Sequence, residues 1–288
     1  MEAQLPLFLT ECPRDAMQGW KDIIPTDDKI EYMNLLMKVG FNVLDCGSFV
    51  SPKAIPQMAD TAEVLHGIDK TVSKTQLSVI VANIQGARQA LEHNKVDILG
   101  FPFSISETFQ QRNTKKSRKE AFEQIKEIKK QTESTNKQLN VYFSMAFGNP
   151  YGEAWNIEEI IEWAKHFLDI GVEKILLSDT TGMADETSIK QVFEMVLPQF
   201  PTLHFGAHFH NRYEDAYPKI KAAYDAGCTH FDSAIKGIGG CPYAKDELVG
   251  NMPTEQMINF IAKEKLPSHL NLLDFERAYN KAKSIFNF

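Results

Sequence analysis

His208-Phe209-His210 sets two imidazoles two residues apart. On a strand, residues i and i+2 project to the same face, so both rings could meet a single cation. Two buried histidines satisfied by backbone groups would show the same spacing, so the surroundings have to decide. Asp15, in the run Cys12-Pro13-Arg14-Asp15, offers a carboxylate, and Asn251 offers an amide oxygen. Two neutral nitrogens, one carboxylate and one amide oxygen suit a divalent ion that keeps positions open for water or substrate. Mg²⁺ or Mn²⁺ is favoured over a closed structural zinc, because no pair of ligand cysteines accompanies the set.

Arg14 stands next to Asp15. Its guanidinium stays protonated, so it can stabilise a developing enolate but is a poor proton donor. A salt bridge at a barrel mouth is the plainer reading. Cys241 lies in Lys236-Gly237-Ile238-Gly239-Gly240-Cys241-Pro242-Tyr243, after three glycines. A thiol there, facing a cation, could titrate near working pH and carry a proton. Asp45 could orient Arg14 or assist proton transfer, and could equally cap a helix. Asp179, in Ser178-Asp179-Thr180, could hold substrate or cofactor, or support the site from behind, or cap the next helix. Cys12 and Cys46 fit core positions as well as strand ends, and Cys228 reads as structural. Ser51-Pro52-Lys53 reads as a helix start. Trp20, Trp155 and Trp163 read as packing residues.

These residues need a scaffold that brings them together. Eight short apolar runs read as strands: 5–11, 42–46, 77–82, 96–101, 140–147, 174–178, 203–208 and 229–233. They are near-continuously apolar, as expected of parallel strands covered on both faces. Helical patterns fill the gaps, over 27–40, 115–136, 157–171, 185–197, 214–227 and 254–263, with a last one over 272–286. Eight βα units in order predict one α/β domain over residues 1–288, a (β/α)8 TIM barrel with an extra C-terminal helical segment. A doubly wound sheet would want a Gly-rich loop after the first strand, and Cys-Pro-Arg-Asp is not one. Barrel chemistry sits on the loops leaving the C-terminal strand ends, where Arg14, Asp15, Asp45, Asp179, His208 and His210 all fall. In a closed barrel strands 7, 8 and 1 are neighbours, so Asp15 and Asn251 can flank the histidine pair.

The chain has 288 residues, 43% of them hydrophobic, and a net charge of −7. No block of like charge suggests nucleic acid, and no long apolar run suggests a membrane span. Four cysteines without a CxxC pair do not make a disulfide framework. With no evident targeting segment, a soluble cytoplasmic protein is expected.

Taken together, Glu11 to Gln18, Ser48 to Lys53, Pro56 to Met58, Ser178 to Thr180, His208 to His210, Gly239 to Ala244 and Gly250-Asn251 resemble one family. It is the 3-hydroxy-3-methylglutaryl-CoA lyase family of barrel metallolyases, and the resemblance covers nearly the whole chain. It implies cleavage of that acyl-CoA to acetyl-CoA and acetoacetate, with an acyl-CoA as partner substrate and a homodimer as the assembly. It also implies that Asp15, His208, His210 and Asn251 hold Mg²⁺ or Mn²⁺, that Arg14 stabilises the enolate and that Cys241 handles a proton. Asp45, or a histidine of the metal site such as His208, would take the hydroxyl proton, and Asp179 would lie near substrate. A related metal-dependent aldolase or acyl transferase is the alternative. The chain departs from the family pattern at Thr10-Glu11, Ala16, Asp45, Asn211 and in the segment between Cys241 and Asn251.

Overall fold

The computed structural model describes residues 6–240 and 249–288. Among them, eight strands run parallel: β1 (Phe8–Glu11), β2 (Val43–Ser48), β3 (Gln76–Ile80), β4 (Ile98–Ser104), β5 (Gln138–Ser144), β6 (Lys174–Asp179), β7 (His204–Asn211) and β8 (His230–Ser233). Each pairs with its sequence neighbours, and β1 pairs with β8, so the ring closes. A two-residue strand, β9 (Gly250–Asn251), adds antiparallel to β7 and sets Asn251 opposite His210.

Helices wrap the ring: α1 (Pro13–Gln18), α2 (Thr26–Leu36), α3 (Thr61–Gly67), α4 (Ile84–Leu91), α5 (Glu107–Thr114), α6 (Arg118–Glu133), α7 (Ile157–Asp169), α8 (Glu186–Val196), α9 (Ala216–Asp225) and α10 (Thr254–Lys263). The last, α11 (Leu272–Phe286), lies against α2, where Lys281 bridges Asp28 at 2.8 Å and also meets Glu31. Outward strand residues such as Phe101, Phe143 and Phe231 are buried with the inner helix faces in one continuous core. None of the described helices is long and apolar enough to cross a membrane.

The predicted barrel is the observed one, with local differences. The expected helix over 115–136 is two: Lys115 turns left-handed at φ 59° and closes α5, and Ser117 then caps α6 through a capping box with Glu120. Ser51-Pro52-Lys53 does not start a helix. Residues 52–54 form a single turn, and α3 begins only at Thr61. The tryptophans pack as expected: Trp20 meets Phe286 edge-on at 5.1 Å, Trp163 lies 4.7 Å from Phe103, and Trp155 donates to the Ala146 carbonyl. β2 bulges between Asp45 and Gly47, which re-aims the strand end beside the barrel mouth. Gly47 is required there, since a Cβ would lie 2.4 Å from the Thr61 methyl.

Lys29 of α2 is buried and donates to both Asp60 oxygens, at 2.7 and 2.9 Å, and to the Gln57 carbonyl. Removing one partner of a buried pair strands the other charge, at a cost of about 3 kcal/mol. Asp60→Ala is expected to lower the unfolding free energy from urea titration by that amount. Lys190→Ala, which breaks an exposed pair with Glu194, should change that free energy by less than about 1 kcal/mol.

Candidate active site

The C-terminal barrel mouth opens into a cavity of about 340 Å³ whose wall includes Arg14, Asp15, His208 and His210. Arg14 and Asp15 arrive on α1, which Pro13 starts directly after β1. The histidines alternate along β7 and so face the mouth together.

Arg14 is buried between two carboxylates. Its Nε and Nη2 hold Asp45, with Nη2 2.5 Å from Oδ2, and its Nη1 holds Asp15 Oδ1 at 2.7 Å. Gln18 adds a bond from Nε2 to the same Asp15 oxygen at 2.6 Å. Asp15 Oδ2 is left buried without a partner. Burial alone would raise the Asp15 pKa, but Arg14 and the two imidazoles hold it at about 2. Burial, with the nearby charges of Asp15 and Asp232, raises Asp45 to about 6 against the opposing pull of Arg14.

Each imidazole has its Nδ1 occupied. His210 Nδ1 faces the Thr180 carbonyl at 3.1 Å; a carbonyl only accepts, so this nitrogen carries the proton. His210 Nε2 is buried with no partner. Burial, with His208 beside it, lowers the His210 pKa to about 4, so the ring is neutral. His208 Nδ1 faces Asp232 Oδ2 at 3.0 Å. Burial opposes protonation of His208, yet the hydrogen bond and charge of Asp232 raise its pKa.

Donor atoms of Asp15, His208 and His210 lie within 4.8 Å of one another. Asn251 donates from Nδ2 to the Ile238 carbonyl at 2.8 Å. A buried carboxylate oxygen and a buried ring nitrogen left orphaned, together with an excess of negative over positive charge, fit a divalent cation. These donors therefore form a candidate divalent-metal centre.

The structure brings Arg14, Asp15, Asp45, His208, His210 and Asn251 together, and puts Asp179 elsewhere. Asp179 is turned behind the wall, where its Oδ2 meets Lys219 Nζ at 2.9 Å and the Ala184 amide at 3.1 Å, and it does not line the cavity. Its support is indirect: Lys219 also reaches the Gly182 and His210 carbonyls, each at 3.3 Å, which ties down the loop that carries Thr180. Asp45 likewise does not line the cavity and orients Arg14 from behind. Cys241 lies outside the described residues. Gly239, two positions earlier, packs so closely on the Asp15 backbone that a Cβ would fall 2.6 Å from its carbonyl oxygen. Glu11 is sealed under β8, accepting from the Ile235 amide and the Thr254 hydroxyl, and burial pushes its pKa to about 8.

Sequence reasoning missed Asp232, Lys219 and Gln18. Asp232 sits two residues after His230 on β8, and only strand register sets it opposite His208. Lys219 looks like any polar helix residue, and its burial is a tertiary fact. Gln18 stands four residues after Arg14 in one helix, a spacing that could have found it.

A carboxylate that orients a metal-binding imidazole typically supports affinity about 10–100-fold. Asp232→Asn is expected to weaken Mn²⁺ binding by that factor in calorimetry. In the parent chain, affinity should fall as pH drops below neutrality, because protons compete for a His208 whose pKa is raised. Undiminished binding in the variant would remove Asp232 from this role.

Comparisons with known proteins give the family. Residues 6–281 match the family profile described as HMGL-like. The human cytoplasmic 3-hydroxy-3-methylglutaryl-CoA lyase is 35% identical over 260 residues, 90% of this chain and 70% of that protein. The hydroxymethylglutaryl-CoA lyase of Bacillus subtilis is 32% identical over 95% of this chain and 89% of its own. A solved HMG-CoA lyase from Acinetobacter baumannii, in complex with coenzyme A and 3-methylmalate, superposes with a TM-score of 0.90 at 31% identity, covering 98% of this chain and 92% of that one. The chain belongs to the HMGL-like family.

Proposed function

We propose that this chain cleaves 3-hydroxy-3-methylglutaryl-CoA to acetyl-CoA and acetoacetate. The observation that carries this reading is the set of unpartnered metal donors on the same cavity wall as a permanently charged arginine. Family membership supplies the reaction class.

Asp15, His208, His210 and Asn251 would hold Mg²⁺ or Mn²⁺, and such an ion supplies Lewis-acid polarisation of the substrate's hydroxyl and carbonyl oxygens. The C2–C3 bond breaks as the hydroxyl loses its proton, giving the ketone of acetoacetate. Arg14, fixed by Asp45 and Asp15, stabilises the thioester enolate without giving up its own proton. We assign the proton delivered to C2 to the Cys241 thiol, on the family resemblance. His208 Nε2 is the one lone pair that Asp232 leaves on that ring, so it takes the hydroxyl proton only where the ion is held by Asp15, His210 and Asn251 without it. Asp45 is a poorer acceptor, because Arg14 covers it. Asp179 acts through Lys219 and the Thr180 loop instead of touching substrate. Buried unpaired Cys12, Cys46 and Cys228 suit a reducing cytoplasm, and a homodimer is the assembly we propose.

Incubation with the thioester and Mn²⁺ should release acetoacetate, and no release would end this reading. Arg14→Gln is expected to lower kcat by about 10²–10³ with little change in KM. His210→Ala should weaken Mn²⁺ binding by calorimetry. His208→Ala separates two roles that need the same lone pair: lost metal affinity makes it a ligand, and retained affinity with lost turnover makes it the base.

A further inference from the structure

Beside the Asp15 centre lies a buried thiol that the proposed reaction does not use. Cys12 stands between β1 and α1, and its Sγ makes a long contact with the Thr10 carbonyl, at 3.9 Å. Donor atoms of Cys12, His208 and Asp232 lie within 4.8 Å of one another. Strand register brings them together: β1 pairs with β8, setting Thr10 beside Asp232, and β8 pairs with β7, setting Asp232 beside His208. Asp232 reaches the imidazole at Nδ1, 3.0 Å away. Burial, with the charges of Asp232, Asp45 and Asp15, pushes the Cys12 thiol well up, so without a metal it keeps its proton.

One sulfur, one imidazole and one carboxylate make a donor set unlike that of Asp15, His208, His210 and Asn251. Sulfur selects thiophilic ions such as Zn²⁺, whereas oxygen-rich donors suit Mg²⁺ and Mn²⁺. Tetrahedral zinc, with bonds of about 2.0–2.3 Å, holds its donors about 3.3–3.8 Å apart. Three atoms within 4.8 Å of one another reach that spacing by closing about 1 Å. The thiol releases its proton to solvent as the metal binds, and the thiolate and Asp232 then cancel the two positive charges. We propose that Cys12, His208 and Asp232 form a second metal site, selective for a thiophilic divalent ion, and that filling it withdraws His208 from the Asp15 centre. The withdrawal rests on the reading of His208 as a ligand of that centre. A neutral imidazole has one lone pair. While Nδ1 donates to Asp232, that pair is on Nε2. A metal on the Asp232 side takes Nδ1, moves the ring proton to Nε2 and closes Nε2 to the other ion. The two ions are then alternatives that share one ring.

The probe is Co²⁺ added to the full chain. It occupies tetrahedral thiolate sites as Zn²⁺ does, and bound sulfur gives it a thiolate-to-metal charge-transfer band in the near ultraviolet. The parent chain is expected to show that band, and Zn²⁺ to abolish it. His210→Ala, which damages the Asp15 centre alone, should keep the band. Cys241→Ser, which removes the thiol assigned to the reaction, should keep it too. Cys12→Ser should lose it, with Mn²⁺ affinity by calorimetry unchanged. Cys12→Ala is the second variant and should behave alike, with circular dichroism reporting that each is folded. Mn²⁺ added to the Co²⁺-loaded parent should bleach the band as the ring changes partner. No band in the parent would overturn the site. So would its loss in folded His210→Ala or Cys241→Ser, or its persistence in both Cys12 variants. A band left intact while Mn²⁺ is bound, read by electron paramagnetic resonance, would overturn the exclusion. Failure of Mn²⁺ to bind at all would remove the Asp15 centre, and the exclusion with it, and leave the Co²⁺ band to decide the Cys12 site.

Discussion

Arg14 is a buried cation with two carboxylates around it, and the site is arranged by that contact. A guanidinium out of water must be neutralised, and its planar fork accepts two carboxylates in fixed directions. Asp45 takes one edge and Asp15 the other. Because Arg14 and Gln18 bind the same Asp15 oxygen, the second oxygen is left pointing free. Neutralising the arginine and leaving a buried carboxylate oxygen unpartnered are thus one structural act. With Asp232 also buried beside His208, negative charge exceeds positive when both imidazoles are neutral. A divalent cation is the natural completion of such a cluster.

Barrel closure gives this contact its setting. β1 pairs with β8, and β8 with β7, so residues over 200 positions apart in sequence become lateral neighbours. The chain then supports each donor from behind with a group that never reaches the cavity. Asp232 fixes His208, the Thr180 carbonyl fixes His210, and the Lys219–Asp179 pair holds the loop that carries Thr180. Such support keeps the donors in place at low entropic cost when substrate arrives.

The cavity lining joins the charged groups to apolar residues such as Ile80 and Pro102. That partly apolar surround strengthens the effect of Arg14 on a developing enolate.

The sequence by itself determined the barrel, because buried parallel strands read as apolar runs and the helices between them keep their own period. It also pointed to the meeting of Arg14, Asp15, His208 and His210, since the two histidines share a face by local geometry alone and Arg14-Asp15 follows a strand end. Segment ends were less legible: the Ser51-Pro52-Lys53 start failed because one turn there is not continued, and Lys115 ends a helix through its own left-handed backbone. Only the tertiary structure decided what each polar side chain touches. Asp45 faces Arg14, Asp179 turns to Lys219, and Asp232 meets His208, although all three are aspartates near strand C-termini. Their roles depend on strand register and on which element covers them, and neither leaves a mark in local residue spacing.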